Sequence, residues 1–123
     1  SENNLVNLIG GPTEVHYINA RQNKLTSLSG APAIIHRSGT FVFNGLTNLH
    51  NIHKEILEAE SLVFEENPIT GKVLGLLKIK NLKKVVFDNK HVELIISKYL
   101  PMGDLLECQQ ELIDAGLEEF AKL

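Results

Sequence analysis

The side chains that could do chemistry in this chain are five histidines, one cysteine and a scatter of carboxylates. His50 and His53 stand three positions apart, whereas His16, His36 and His91 lie in other segments. A zinc-type site needs three or more ligands converging in space. The periodic register of the chain scatters these imidazoles, which points to surface and turn positions and to no metal. Glu65 and Glu66 adjoin Asn67, and Asp88 lies one period further on. Paired-carboxylate chemistry would need a cleft and a proton acceptor, and the sequence reveals neither. Cys108 falls on an apolar stripe and reads as a small core residue. Gly10-Gly11-Pro12 is a turn, without the lysine and the following helix of a phosphate loop. Nucleophile-elbow, zinc-finger and dinucleotide signatures are missing as well. The expectation is a non-enzyme with no catalytic residue, no cofactor and no metal site.

Lys72, Lys78, Lys80, Lys83, Lys84 and Lys90 make up half of the twelve lysines and arginines. Such a run could neutralise phosphates. It lacks an interleaved series of aromatics, however, and the net charge of the chain is −3. These lysines read as a solvated face, and nucleic acid is not the expected partner.

The bulk numbers agree with a binding or structural role. A chain of 123 residues, 43% hydrophobic and 22% charged, fits one domain with a modest core. Its apolar runs are a few residues long, too short to span a bilayer or to form a signal-peptide core. The single cysteine excludes an internal disulfide and fits a reducing compartment, so a cytoplasmic location is expected.

What positions these residues is a repeat. Asn23-Lys24-Leu25-Thr26-Ser27-Leu28 and Asn44-Gly45-Leu46-Thr47-Asn48-Leu49 share the frame N-x-L-T-x-L. Asn3-Asn4-Leu5-Val6-Asn7-Leu8 gives N-x-L-x-x-L one period earlier, and Asn67-Pro68-Ile69 continues the series. The period is 20 to 23 residues. Small-residue turns ending in proline follow Leu8 and Leu28. Ahead of each frame stand Ile18-x-Ala20, Gly39-x-Phe41, Leu62-x-Phe64 and Val85-x-Phe87. Residues two apart on a strand share a face, so each pair turns inward. One such coil cannot bury its apolar face alone, whereas stacked coils share a core. An asparagine at the corner can satisfy backbone groups that stacking would otherwise strand.

The pattern resembles the L-x-x-L-x-L-x-x-N-x-L unit of leucine-rich-repeat proteins. The wording Leu25-Thr26-Ser27-Leu28-Ser29-Gly30-Ala31-Pro32 is most similar to short-repeat proteins of bacteriophages and bacteria, including the recognition domains of secreted effectors. The resemblance covers roughly residues 1–95. It implies an α/β fold, a leucine-rich-repeat solenoid with a parallel concave sheet and a C-terminal helical cap. It also implies a non-catalytic protein-binding module, in its specific form a virus-encoded protein that engages a host or viral protein. The alternative is a structural C-terminal repeat domain of a larger protein that positions an attached activity. Three positions depart from the pattern. Gly39 leaves an inward site without a side chain, Lys72 replaces a leucine, and Lys90 replaces the asparagine where the array ends.

The array is expected over 1–95, with a truncated first repeat at Asn3, and the cap over 96–123. Apolar spacing at Ile52, Ile56 and Ala59, after Asn51 as N-cap, predicts a short helix. Val92, Ile95, Ile96 and Tyr99 predict a second, stopped by Pro101. A third starts at the capping box Asp104-x-x-Glu107, carries Leu105, Leu106, Cys108, Leu112 and Ile113 as its apolar stripe, and ends at Gly116. Six acids and one base over 104–123 suit a solvated outer face.

Inward Ile18, Gly39, Leu62 and Val85 then place Asn19, Thr40, Val63 and Val86 outward on the concave sheet. Tyr17, Ser38, Ser61 and Lys84 flank them on one side, and Arg21, Val42, Glu65 and Asp88 on the other. Solvent-facing valines rimmed by charge and an aromatic resemble an interaction patch. The expected partner-binding residues are Tyr17, Asn19, Arg21, Val42, Val63, Glu65, Val86 and Asp88. The expected partner is a protein, with no membrane contact, and self-association is expected through the exposed N-terminal repeat edge.

Overall fold

Four short strands form around the inward pairs: β1 (Glu14–Asn19), β2 (Ile34–Thr40), β3 (Glu58–Val63) and β4 (Lys84–Val86). In this computed structural model, which describes residues 8–123, they make one α/β sheet in the order β1-β2-β3-β4. Every neighbouring pair is parallel. The rows Tyr17–Ser38–Ser61–Lys84, Ile18–Gly39–Leu62–Val85 and Asn19–Thr40–Val63–Val86 are in register, as the spacing predicts. Leu62 and Val85 are buried beside Gly39. Shifts after Val15 and Ile35 let Val15, Ile35 and Ala59 line up as a second inward row. The Asn3 frame lies outside the described residues, apart from Leu8, whose N–H donates to the Ser29 carbonyl at 3.2 Å.

Beyond the strands, Phe41, Phe64 and Phe87 stack with ring centroids 5.7 and 5.9 Å apart. Leu25, Leu28, Leu46 and Leu49 close the same core. The absent side chain of Gly39 leaves no gap. A Cβ there would stand 3.0 Å from Phe41 Cε2, 3.1 Å from Leu62 Cδ2 and 3.2 Å from Ile35 Cδ1, so neighbouring side chains already fill the site. Gly30 answers a different need. Its φ is +83, and a Cβ would sit 2.4 Å from the Ile9 backbone nitrogen, which only glycine permits.

The helix expected after Asn51 is shorter than its apolar spacing suggests. α1 covers only Ile52–Glu55, Ile56 is its C-cap, and Ala59 belongs to β3. Ala59 pairs with Ile35, and its N–H donates to the Lys80 carbonyl, so strand pairing claims it. Asn51 sits in the left-handed region at φ 56 and makes no side-chain cap. Its backbone N–H instead donates to the Leu123 carbonyl at 2.7 Å. A 3-10 helix, Leu74–Lys78, lies between β3 and β4.

α2 (Lys90–Lys98) begins at Asn89, whose side chain accepts from Val92 N, and buries Val92, Ile95 and Ile96. The boundary drawn between 95 and 96 falls inside it. α3 (Leu105–Asp114) begins at Asp104, which accepts from Glu107 N. Its apolar stripe is narrower than expected: Cys108 and Leu112 are buried, whereas Leu106 is 72% and Ile113 43% exposed. α3 packs on α2, on the 3-10 helix and, through Gln109 Nε2 donating to Ala121 O at 3.0 Å, on the C-terminal tail, which leaves Leu106 and Ile113 uncovered. Glu111 ties the two helices by accepting from Lys98 Nζ and from the Tyr99 hydroxyl. These bonds hold the Glu111 carboxyl below its usual range and push Tyr99 up to about 12.

Candidate partner-binding face

Three asparagines fix where each strand ends. Asn23, Asn44 and Asn67 are buried, and each Nδ2 donates to the carbonyl three residues earlier, on Ala20, Phe41 and Phe64, at 2.9 Å. Asn44 and Asn67 also reach across to the preceding strand's tail, donating to Ala20 O and Phe41 O at 2.8 Å. Their Oδ1 atoms accept from Leu25 N and Leu46 N at 3.1 and 3.2 Å. At Asn44 and Asn67 the side-chain amide is thus used within the fold both as donor and as acceptor. Lys90 keeps half of this pattern: its Nζ donates to Phe87 O at 2.7 Å, and Glu93 Oε1 takes both that amine and Phe87 N. Asn23 keeps the same donating half, and among the described residues its buried Oδ1 has no hydrogen-bond partner.

On the outward face, Tyr17 is 68% exposed. Asn19, Arg21, Glu65, Lys84 and Asp88 are exposed beside it. Val42, Val63 and Val86 are half-buried, as is Thr40, so the valines are less open than expected. Neighbouring strands lie roughly 4.8 Å apart, and β-branched side chains across that gap shield one another. The eight residues picked from spacing therefore share one sheet face or its immediate margin.

Two margins were not anticipated. At the N-terminal ends of the strands, His36 Nε2 meets Glu14 Oε2 at 2.6 Å, and the rings of His16 and His36 lie 5.1 Å apart. Arg37 and Glu60 approach to 4.0 Å across β2 and β3. At the other end, Gln22, Phe43 and Glu66, each directly before a ladder asparagine, have φ of 57, 61 and 61. Phe43 is 57% exposed. The available signal was an aromatic immediately before a ladder asparagine, outside the inward series.

Several of the remaining polar side chains are engaged by neighbours. A cleft of about 350 Å³ gathers Thr26, Ser27, Ser29, Asn48, His50 and Glu55. Within it Ser27 Oγ accepts from Ser29 N, Glu55 Oε2 from Gly30 N, and His50 Nε2 faces the Asn51 amide. Burial pushes the Cys108 thiol up to about 11, which keeps it protonated and unreactive. His53 is held below its usual value by burial, then by Lys78, Lys54 and His50. Among the described residues, no group of three or more histidines, cysteines and carboxylates could hold a metal ion, and no helix is long and apolar enough to cross a membrane. The chain matches no family model, no curated protein and no solved structure.

Proposed function

We propose that this chain is a non-catalytic protein-binding module, built as a leucine-rich-repeat solenoid with a helical C-terminal cap. In-register parallel strands, stacked phenylalanines and equivalent asparagine bonds support the solenoid reading. The observation that carries the function is the outward face: exposed Tyr17 and half-buried Val42, Val63 and Val86 on one rigid sheet, rimmed by Arg21, Glu65 and Asp88. A rigid face with an aromatic and partly shielded aliphatics loses little entropy on docking. The test is the double change Val63→Lys with Val86→Lys. Circular dichroism should stay native while a verified native partner binds more weakly. Unchanged affinity in a folded variant would remove the sheet face from the proposal.

A further inference from the structure

The corner residues Gln22, Phe43 and Glu66 share a left-handed backbone that suits glycine and asparagine and is unusual for a bulky aromatic. The fold imposes this conformation at all three rungs, and only one carries a ring. That ring is also largely outside the core: Phe41, two residues earlier, is fully buried and stacked on Phe64, whereas Phe43 is 57% exposed and, among the described residues, joins no aromatic pair. Neither backbone preference nor packing accounts for a phenylalanine here.

Its surroundings have a sign. Phe43 N donates to Glu65 O, and Glu66 N to Asp88 Oδ2, so these acids stand on the adjoining rungs. Among the described residues, Glu65, Glu66 and Asp88 enter no ion pair, and Arg21 is the one cation in the two corner columns. Half-buried Val42 precedes the ring.

We propose that Phe43 anchors a protein partner at this end of the sheet, and that the partner supplies an extended cationic segment with arginine or lysine beside an apolar residue. The proposal rests on the protein-binding reading and gives that partner its chemistry. An arginine can lie over the exposed phenyl face while a neighbouring one reaches the carboxylates of Glu65 and Glu66. The apolar residue between them covers Val42. Unpaired carboxylates repel an acidic segment, so charge selects the partner as well as attracting it.

Two measurements test this. Thermal melts of Phe43→Asn and Phe43→Gly should show unchanged or raised stability, since both residues suit the backbone; a clear fall would assign the ring to packing and overturn the proposal. Fluorescence anisotropy with a capped synthetic peptide alternating arginine and valine is the second. The chain should bind this probe and prefer it about tenfold or more over its glutamate–valine counterpart. Phe43→Asn should weaken binding about tenfold, and Glu65→Gln with Glu66→Gln should weaken it and flatten its salt dependence. Failure to bind the arginine–valine probe, or binding indifferent to Phe43→Asn, overturns the cationic-partner proposal. The broader reading is judged separately: a native partner lost on Val63→Lys with Val86→Lys but indifferent to Phe43→Asn sustains the sheet face and removes the anchor.

Discussion

Asn44 and Asn67 share one acceptor: both side-chain amides donate to the Phe41 carbonyl, at 2.9 and 2.8 Å. One oxygen thus joins a corner to the next corner along the sheet. Because a carbonyl has two lone pairs, the two bonds do not compete.

Replacing Asn44 by Ala removes the acceptor of Leu25 N and a donor to Ala20 O and Phe41 O. The expected loss is about 1–3 kcal/mol, read from chemical denaturation. Asn67→Ala should cost a similar amount, and Asn23→Ala less, because among the described residues its Oδ1 has no donor to lose and its amide reaches no second strand. The double variant of Asn44 and Asn67 should be non-additive through their shared carbonyl. Equal losses at all three positions would contradict this ranking.

Gly39→Ala tests whether the inward row is full. Its Cβ meets three side-chain carbons at 3.0–3.2 Å, so overpacking should cost about 1–3 kcal/mol and disturb the phenylalanine stack. Near-ultraviolet circular dichroism and a denaturant midpoint read both effects. A stabilised variant would reveal a void that the structure does not contain.

His53 should make stability depend on pH. Among the described residues its buried Nδ1 has no hydrogen-bond partner, and a Cβ on Gly75 would lie only 2.7 Å from it. The folded pKa is lowered, so below the unfolded value of about 6.5 the unfolded chain binds more protons. The neutral ring's contribution is present above that value and is lost as pH falls toward the folded pKa. Melting temperature should drop as pH falls below about 6.5, and less so in His53→Gln. Identical profiles for the two proteins would dismiss this histidine as the cause.

The start of α3 depends on Asp104, whose Oδ1 accepts from Glu107 N at 3.0 Å. Asp104→Ala should destabilise by about 1 kcal/mol, and Asp104→Asn by much less, since asparagine caps as well. Hydrogen exchange localised to the first turn of α3 would identify the lost cap. A destabilisation spread evenly over the sheet would count against it.

The sequence by itself determined the strand rows, the corner asparagines and the cap at Asp104. In each case a short-range rule applies: a spacing of two sets a side chain's face, and a corner amide or helix start must satisfy nearby backbone groups. The tertiary structure alone decided what depends on residues far along the chain. Strand pairing with Ile35 drew Ala59 out of the helix its spacing suggested. Side chains from three positions filled the space beside Gly39, and the packing of α3 left Leu106 and Ile113 in solvent. Phe43 shows the same division: its residue type is plain in the chain, but the left-handed corner and the open ring arise only when successive strands stack, because stacking sets the backbone angle and the exposure together.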